Sequence, residues 1–283
     1  MSANVVAVAN YHCEVGENPL WDERTGRIHW VDIDTGRMFR AEHATLEHEC
    51  FYRGPTVGGF TFQDDGALLL FEADRIAVLE NGVRRVLKEG IDSDMTRFND
   101  VIADPEGRVY AGTIGRSLRS GGLYRIDRDL TVTCLWKDTG CANGMGFTAD
   151  LRRFYWTCST TRRIFVSDYE RESGALGNRR VFYTAPEAEG TPDGLTLDVR
   201  DHVYTARWGG SRVLEMSGAG DIVGSIELPV TRVSSACFGG PMLDTLYVTT
   251  AGGREGATTP DGTLYRVELA TRGRPEFRSR IGL

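Results

Sequence analysis

Asp193-Gly194-Leu195-Thr196-Leu197 is one of six copies of a short phrase that recurs along this chain. Each copy starts with a polar or glycine-containing turn, continues into a short apolar stretch and is followed by a β-rich run. The other copies begin at Asn18, Gly59, Asn99, Asn143 and Ala236. Their starts lie roughly 40 to 50 residues apart, which is the period of a four-stranded propeller blade. The sequence therefore predicts an all-β fold, a six-bladed β-propeller.

The six repeats use the whole length of 283 residues and leave no room for a second domain. All-β units of this size are commonly single domains, so we expect residues 1–283 to form a single six-bladed β-propeller domain. A propeller must also close its ring. The β-prone segment 4–12 precedes the first repeat, and we predict that it supplies a strand to the blade formed by the last repeat.

Composition narrows the possible partners and the compartment. The net charge of −7 argues against nucleic acid, whose phosphates require a basic surface. No apolar run reaches the length of a membrane span, and Met1–Val6 lacks the basic start of a secretory signal. The six cysteines form no Cys-x-x-Cys pair, which is typical of reduced thiols. We therefore expect a cytoplasmic protein, whose oligomeric state the sequence leaves open.

Alignment of the six repeats on their first apolar residue isolates one column of oxygen-bearing side chains. Asn99, Asn143 and Asp193 each lie two residues before that apolar position, and Glu17 lies three residues before Leu20. Because blades point the starts of their innermost strands at one axis, these side chains should meet at one end of the central channel. Two carboxylates and two amides form a hard-oxygen set suited to Ca²⁺, Mg²⁺ or Mn²⁺.

The same residues have a second interpretation. Asn143-Gly144 and Asp193-Gly194 resemble ordinary hairpin turns, and Glu17 could be a surface acid. The repeats alone leave the metal site and the turn interpretation both open. Other chemistries lack support, because the five histidines show no zinc-binding spacing and no Gly-x-Ser-x-Gly nucleophile motif is present.

The chain resembles the SMP-30/gluconolactonase family over essentially its whole length. Five short motifs in blade order carry the resemblance: Gly16–Trp21, Arg97–Asp100, Asn143-Gly144, Pro192–Gly194 and Cys237–Pro241. The resemblance implies one divalent metal at the channel mouth, in the first place Ca²⁺, with Zn²⁺, Mn²⁺, Mg²⁺ or Fe²⁺ as alternatives. It implies Glu17, Asn143 and Asp193 as the metal ligands, Asn99 close to metal and substrate, and Arg97 as a contact to a substrate hydroxyl.

Three positions depart from patterns seen in the family. Cys158 and Gly146 stand where relatives carry acids, and the stretch Arg116–Gly121 is short and lacks a glutamate that some relatives direct at the substrate. These departures bear on which substrate is bound rather than on metal binding.

The predicted function is metal-dependent hydrolysis of a sugar lactone to the aldonic acid. In this hypothesis the metal polarises the carbonyl and Asp193 is the catalytic residue that takes a proton from the attacking water. Arg97 and Asn99 hold ring hydroxyls, and Trp208 offers an aromatic face to the sugar or is simply a channel or blade-core aromatic.

Two alternatives remain open at this stage. One is a promiscuous esterase, phosphotriesterase or aromatic lactonase, which would use the same metal with an apolar mouth; Arg97, Arg116 and Arg119 argue against it. The other is a non-enzymatic metal-binding propeller, which would not need Arg97 and Asn99 beside the ligands.

Overall fold

The computed structural model describes residues 4–283 and confirms the predicted six-bladed β-propeller. The strands form six antiparallel sheets of four strands each, and every sheet is one blade. The segment Met1–Val6, which the sequence analysis interprets as lacking a secretory signal, is described only from residue 4 onward; residues 1–3 lie outside the described residues.

The strand β1 (Val6–Asn10) precedes the first blade, which consists of β2 (Gly16–Asp22), β3 (Arg27–Asp32), β4 (Arg37–Glu42) and β5 (His48–Arg53). The second blade consists of β6 (Gly59–Phe62), β7 (Leu68–Phe71), β8 (Arg75–Glu80) and β9 (Val83–Glu89). The third consists of β10 (Met95–Ala103), β11 (Val109–Gly115), β12 (Gly122–Ile126) and β13 (Val132–Lys137). The fourth consists of β14 (Ala142–Phe147), β15 (Arg153–Cys158), β16 (Arg163–Glu170) and β17 (Ala175–Thr184).

A short 3₁₀ turn at Glu187–Glu189 leads from the fourth blade into the fifth. The fifth blade consists of β18 (Thr191–Leu197), β19 (Val203–Trp208), β20 (Arg212–Met216) and β21 (Ile222–Glu227). The sixth contains β22 (Val233–Gly239), β23 (Thr245–Thr250) and β24 (Thr263–Glu268), together with β1 as its outer strand.

The ring closes as predicted, through pairing of the N-terminal strand with the last blade. Strand β1 pairs antiparallel with β24, and Val6 lies opposite Arg266. The first and last parts of the chain therefore share one sheet.

Aromatic side chains pack across the boundaries between blades. Edge-to-face and stacked pairs of this kind add to the free energy gained by burying apolar area. Four pairs have ring centroids between 5.2 and 6.1 Å apart: Trp21–Tyr247, Phe71–Phe98, Trp136–Trp156 and Tyr204–Phe238. The core therefore lies between blades, and the innermost strands are held in fixed positions around the axis.

The innermost strands of four blades contain a register shift next to the candidate residues. The shifts lie at Glu17/Leu20, Phe98/Val101, Asn143/Met145 and Pro192/Leu195, whereas β6 of the second blade pairs without interruption. A bulge of this type turns a side chain away from the regular alternation of the strand. The second blade, which has no bulge, contributes no candidate side chain, and neither does the sixth, whose inner strand has a register shift at Val233/Ser235.

The hairpin interpretation of Asn143-Gly144 and Asp193-Gly194 is wrong, because both pairs lie inside strands β14 and β18. Their glycines are required by close packing of inner strands instead. A Cβ atom on Gly144 would lie 2.4 Å from the Asp193 carbonyl oxygen, and one on Gly194 would lie 2.1 Å from Ser235 Oγ. By contrast Asn81-Gly82, with φ of 49° and 79°, is a true hairpin turn between β8 and β9.

Residues 270–282, here called the C-terminal strap, cross the end of the channel opposite the candidate residues. The strap contacts every blade: backbone bonds join it to Val199, Leu243, Phe62 and Gly107, Arg274 donates to the Phe147 carbonyl, and Arg278 pairs with Asp22. These partners lie at or after the far ends of the innermost strands. The strap therefore covers the rear end of the channel.

Ile281→Ala tests how far the strap contributes to stability. Ile281 is buried against the third blade, so the substitution should lower the free energy of unfolding by about 2–4 kcal/mol. Leu283→Ala, at an exposed position two residues later, should change it by less than about 0.5 kcal/mol. Urea denaturation of both variants measures the difference, and equal stabilities would show that the strap is not part of the core.

Within residues 4–283 no helix has the length and apolar character needed to cross a membrane. The structure also leaves each of the six cysteines unpaired, with Cys13, Cys158 and Cys237 buried and Cys134 exposed.

Candidate functional site

The six residues singled out from the sequence line one cavity of about 260 Å³ at the front end of the channel: Glu17, Arg97, Asn99, Asn143, Asp193 and Trp208. They come from four blades and lie at the starts of inner strands, or, for Trp208, at the end of β19. Repeats that are far apart in sequence thus converge on one site. Their roles as ligands, catalytic residue and substrate contacts stay predictions.

The three proposed ligands are buried and adjoin one another. Glu17 and Asn143 are 4% exposed and Asp193 is 6% exposed. The side-chain amide of Asn143 donates to the Asp193 carboxylate and, over 3.3 Å, to Ser159 Oγ. One Glu17 oxygen accepts the backbone N–H of Asn18 at 2.9 Å. Each carboxylate is therefore held by a hydrogen bond from the protein, and both residues line the cavity.

The charge of this cluster is poorly compensated within the protein. Burial raises the pKa of Glu17 well above its usual range, and the neighbouring Asp193 and Asp100 raise it further. Burial and Asp100 likewise raise the pKa of Asp193. Arg97 is the cation that opposes these effects. Buried carboxylates in this state bind either protons or a cation, so two carboxylates beside an amide oxygen fit a hard divalent ion.

Asn99 differs from the other members of its column because the protein occupies its amide on both sides. Its Oδ1 accepts from Arg97 Nη1 at 2.6 Å, and its Nδ2 donates to the Ala142 carbonyl at 3.1 Å. Arg97 also donates to the Phe98 carbonyl at 3.0 Å. The pair Arg97–Asn99 is thus a fixed hydrogen-bonding unit on the cavity wall, beside the three proposed ligands rather than among them.

Trp208 lines the cavity and is only half-buried, so it is not a blade-core aromatic. The guanidinium of Arg232 lies 5.6 Å from its ring centroid. A ring that contacts a cation and also lines the cavity provides a flat apolar surface at the mouth.

Two further residues at or behind the site, Cys141 on the cavity wall and Asp100 behind it, were not predicted from the sequence. Asp100 is 7% exposed, and burial raises the pKa of its carboxyl to about 6. It directly follows Asn99, and regular strand alternation would send it to the opposite side; the bulge at Phe98/Val101 removes that restriction. Cys141 lies two residues before Asn143, a spacing that places both side chains on one face of a strand.

Cys141 lines the cavity as a neutral thiol. Burial and the charge of Asp193 raise the pKa of Cys141 to about 12. Its Sγ lies 3.6 Å from Asn99 Nδ2, which donates to it. A protonated sulfur is a poor metal ligand, so the oxygen character of the predicted ligand set is retained.

The three departures from the family pattern lie outside the front cavity. The Cys158 thiol is buried and donates to the Thr139 carbonyl at 2.6 Å. A Cβ on Gly146 would lie 2.3 Å from Leu197 Cδ1, so a side chain at this position would require Leu197 to move. Arg116 uses its backbone N–H and Nε to bind the Asp94 and Ser93 carbonyls.

The expectation that Arg116 and Arg119 make the mouth polar is wrong. Neither lines the cavity, and both are exposed. Arg97 is the arginine that lines it, while Val15 and Ile114 add apolar wall.

A second group of potential metal ligands, Asp198, His202 and Glu215, lies away from the front cavity. Arg200 contacts the Asp198 carboxylate at 2.8 Å and the Glu215 carboxylate at 3.0 Å. Asp198 also accepts backbone N–H bonds from Arg200 and His202 and the Thr271 hydroxyl. The carboxylates there are already satisfied by the protein, so this group is an ion-pair network.

Comparison with known proteins places the chain among established relatives. The model of the SMP-30/Gluconolactonase/LRE-like region matches residues 15–252. Pentonolactonase XacC of Haloferax volcanii is 42% identical over 289 residues, covering 99% of both chains. Regucalcin of Danio rerio is 31% identical over 257 residues, covering 88% of this chain and 87% of its own. A solved structure of the calcium-binding protein regucalcin from Agrobacterium tumefaciens, at 22% identity, covers 99% of this chain and 98% of its own with a TM-score of 0.91, which shows the shared fold.

Proposed function

The chain belongs to the SMP-30/gluconolactonase/LRE-like family and is a lactonase, and we propose that it opens a sugar lactone to the aldonic acid with one bound divalent cation. The observation that carries this proposal is the convergence of Glu17, Asn143 and Asp193 in one cavity with the hydrogen-bonding pair Arg97–Asn99. Binding of a cation alone would require only Glu17, Asn143 and Asp193. A substrate with ring hydroxyls would account for the polar pair Arg97–Asn99 beside these ligands.

Glu17, Asn143 and Asp193 would hold the cation, with Ca²⁺ as the first candidate and Zn²⁺, Mn²⁺, Mg²⁺ or Fe²⁺ as alternatives. All three supply oxygen, and the two carboxylates balance the charge of a divalent ion. When bound there, the cation supplies Lewis acidity that polarises the lactone carbonyl and lowers the pKa of a nearby water.

The chain's own residues orient the substrate and move the proton. Arg97 and Asn99 bind ring hydroxyls, and Trp208 covers one face of the sugar. Asp193 accepts a proton from the attacking water and returns it to the ring oxygen as the C–O bond breaks. A carboxylate that also binds a cation is a weak base, because the cation lowers its pKa. Asp193 therefore acts only on water that is already acidified.

The alternatives receive less support from the cavity. An esterase or phosphotriesterase, or an aromatic lactonase, would gain from Val15, Ile114 and Trp208, but its substrate would offer no ring hydroxyls to the polar pair Arg97–Asn99 on the cavity wall. A non-enzymatic metal-binding propeller would not require that pair. We also propose that residues 1–283 act as a single domain.

The substrate class is tested directly with a panel of lactones. Because the Haloferax relative is named a pentonolactonase, five-carbon sugar lactones should be turned over faster than six-carbon or aromatic lactones. Rates are measured by acid release, with each divalent ion added in turn. Preference for an aromatic lactone or a phosphotriester would favour the alternative hydrolase, and no turnover of any compound would favour the binding protein.

Arg97→Ala should lower kcat/KM for the sugar lactone about tenfold or more while metal content stays near normal. A charge-assisted hydrogen bond to a hydroxyl is worth about 1.5–3 kcal/mol, which sets this magnitude. Arg116→Ala is the matched control, since this exposed arginine lies outside the cavity. Loss of bound metal in Arg97→Ala would instead assign the arginine to support of the ligands.

A further inference from the structure

Two neighbouring cavities lie along the axis behind the front site. The axial chamber, of about 30 Å³, is lined by Asn18, Asp100, Ser235 and Glu276 among others. The rear pocket, of about 130 Å³, lies beside the C-terminal strap. The two share four lining residues: Ile102, Met145, Thr196 and Glu276. Glu276 therefore stands at the junction between the chamber and the rear pocket.

Polar groups mark the chamber as a hydrated space. Asn18 is 4% exposed, and its Oδ1 accepts the Phe60 backbone N–H, which leaves its Nδ2 without an acceptor among residues 4–283. A chamber of this volume holds roughly two water molecules, since one water requires about 10–15 Å³. Two carboxyl groups, Asp100 and Glu276, face the same space.

The Glu276 carboxylate has no polar partner among the described residues. Its carboxylate makes no hydrogen bond or ion pair within the described part of the chain, although it is half-buried. The nearby Arg274 is engaged elsewhere, with the Phe147 carbonyl and, at 3.3 Å, with Asp201. A half-buried carboxylate without a partner is costly to keep charged.

Two residues that line the chamber, Asn18 and Asp100, directly follow Glu17 and Asn99 of the front cavity along their inner strands. The charge of Asp100 raises the pKa of both Glu17 and Asp193. Burial raises the pKa of Glu276 to about 7, with Asp100 adding to the rise and Arg274 opposing it. Cys237 also faces Glu276 and has its own pKa raised by burial and by that carboxyl. Glu276 can thus gain and lose a proton near neutral pH.

We propose that Glu276 accepts the proton released by each lactone hydrolysis, through Asp100 and the water of the axial chamber, and returns it to solvent through the rear pocket. This inference rests on the proposed lactonase function. Glu276 touches neither the substrate nor the reacting atoms, so it is a relay group and not a catalytic residue.

The reaction supplies one proton per turnover. The oxygen of water forms a bond to the carbonyl carbon, the ring C–O bond breaks, and one water proton goes to the ring oxygen. The second water proton remains on the new carboxylic acid, which ionises at neutral pH. Substrate and product cover the front cavity, so the chamber offers that proton a separate exit.

The test is Glu276→Gln, which keeps the shape and removes the titration. In weak buffer its kcat should fall about tenfold, less than the 10²–10⁴ of a direct general acid or base. High concentrations of imidazole should restore the rate by carrying the proton, and metal content should stay unchanged. Glu80→Gln, at an exposed strand end, is the matched control and should behave like the wild type.

The outcomes separate this inference from the proposed function. A wild-type protein that hydrolyses no sugar lactone would overturn the function itself. An active wild type whose Glu276→Gln variant has the same kcat in weak buffer, with no imidazole response, would overturn the relay. If Glu276→Gln fails to fold, Glu276→Asp replaces it: a shorter acid should keep a titrating group and show a smaller loss, and a loss that imidazole does not restore would also overturn the relay.

Discussion

Asp193→Ala should lose its bound metal and about 10³-fold or more of its kcat/KM for a sugar lactone. The substitution removes a ligand and the group that accepts the water proton, and each role alone contributes roughly 10²–10⁴ in rate. Asp193 lies beside Glu17 and Asn143 on the cavity wall, so its removal would leave one carboxylate and one amide to hold the cation. No other single change in the cavity removes two functions at once.

The measurement pairs elemental analysis with lactonase kinetics. Asp193→Asn, which keeps the size and one oxygen, should bind metal weakly and regain part of the activity at high metal concentration. Asp221→Ala is the matched control at an exposed position. A full complement of metal in Asp193→Ala would remove Asp193 from the ligand set.

Repetition made much of the site predictable. Asn143 and Asp193 share a register because β14 and β18 begin in the same way and carry the same bulge. Glu17 falls one residue out of that register in the sequence. The bulge of β2 spans Glu17 to Leu20, and the Glu17 side chain lines the same cavity as Asn143 and Asp193.

The residues that sequence reasoning missed lack a periodic signal. Asp100 points inward because of a bulge, and bulges depend on the pairing of two strands rather than on local composition. Glu276 lies in the C-terminal strap, which has no regular alternation and owes its path to contacts with all six blades. The hairpin interpretation of Asn143-Gly144 and Asp193-Gly194 was wrong because turns and closely packed strands both favour glycine.

Chelation should abolish activity and leave the propeller folded. Loss of the Lewis acid removes several kcal/mol of transition-state stabilisation, so activity should fall by roughly 10²–10³ or more. The site lies at the axis and closes no loop of the chain, and the interblade aromatic pairs do not depend on it. Complete unfolding by the chelator would contradict this arrangement. Reconstitution with Ca²⁺, Mg²⁺, Mn²⁺, Fe²⁺ and Zn²⁺ should restore graded rates, whereas equal rates with and without metal would exclude the cation from the reaction.

The metal-free protein should also lose stability as the pH rises. In the folded state, burial and the nearby charge of Asp100 raise the pKa values of Glu17 and Asp193. In the unfolded chain the pKa values of these two carboxyls lie near 4. The folded state then binds more protons than the unfolded state, so stability falls from about pH 4 upward until these carboxyls are ionised. A bound cation relieves the repulsion and reverses the trend.

The rise in Tm on adding Ca²⁺ should therefore be larger at pH 8 than at pH 5, by on the order of 5 °C. Glu17→Gln, which removes one of the raised carboxyls, should flatten the pH dependence of the metal-free protein. If the Tm of the metal-free wild type rises between pH 5 and pH 8, ionisation of Glu17, Asp100 and Asp193 does not destabilise the folded protein.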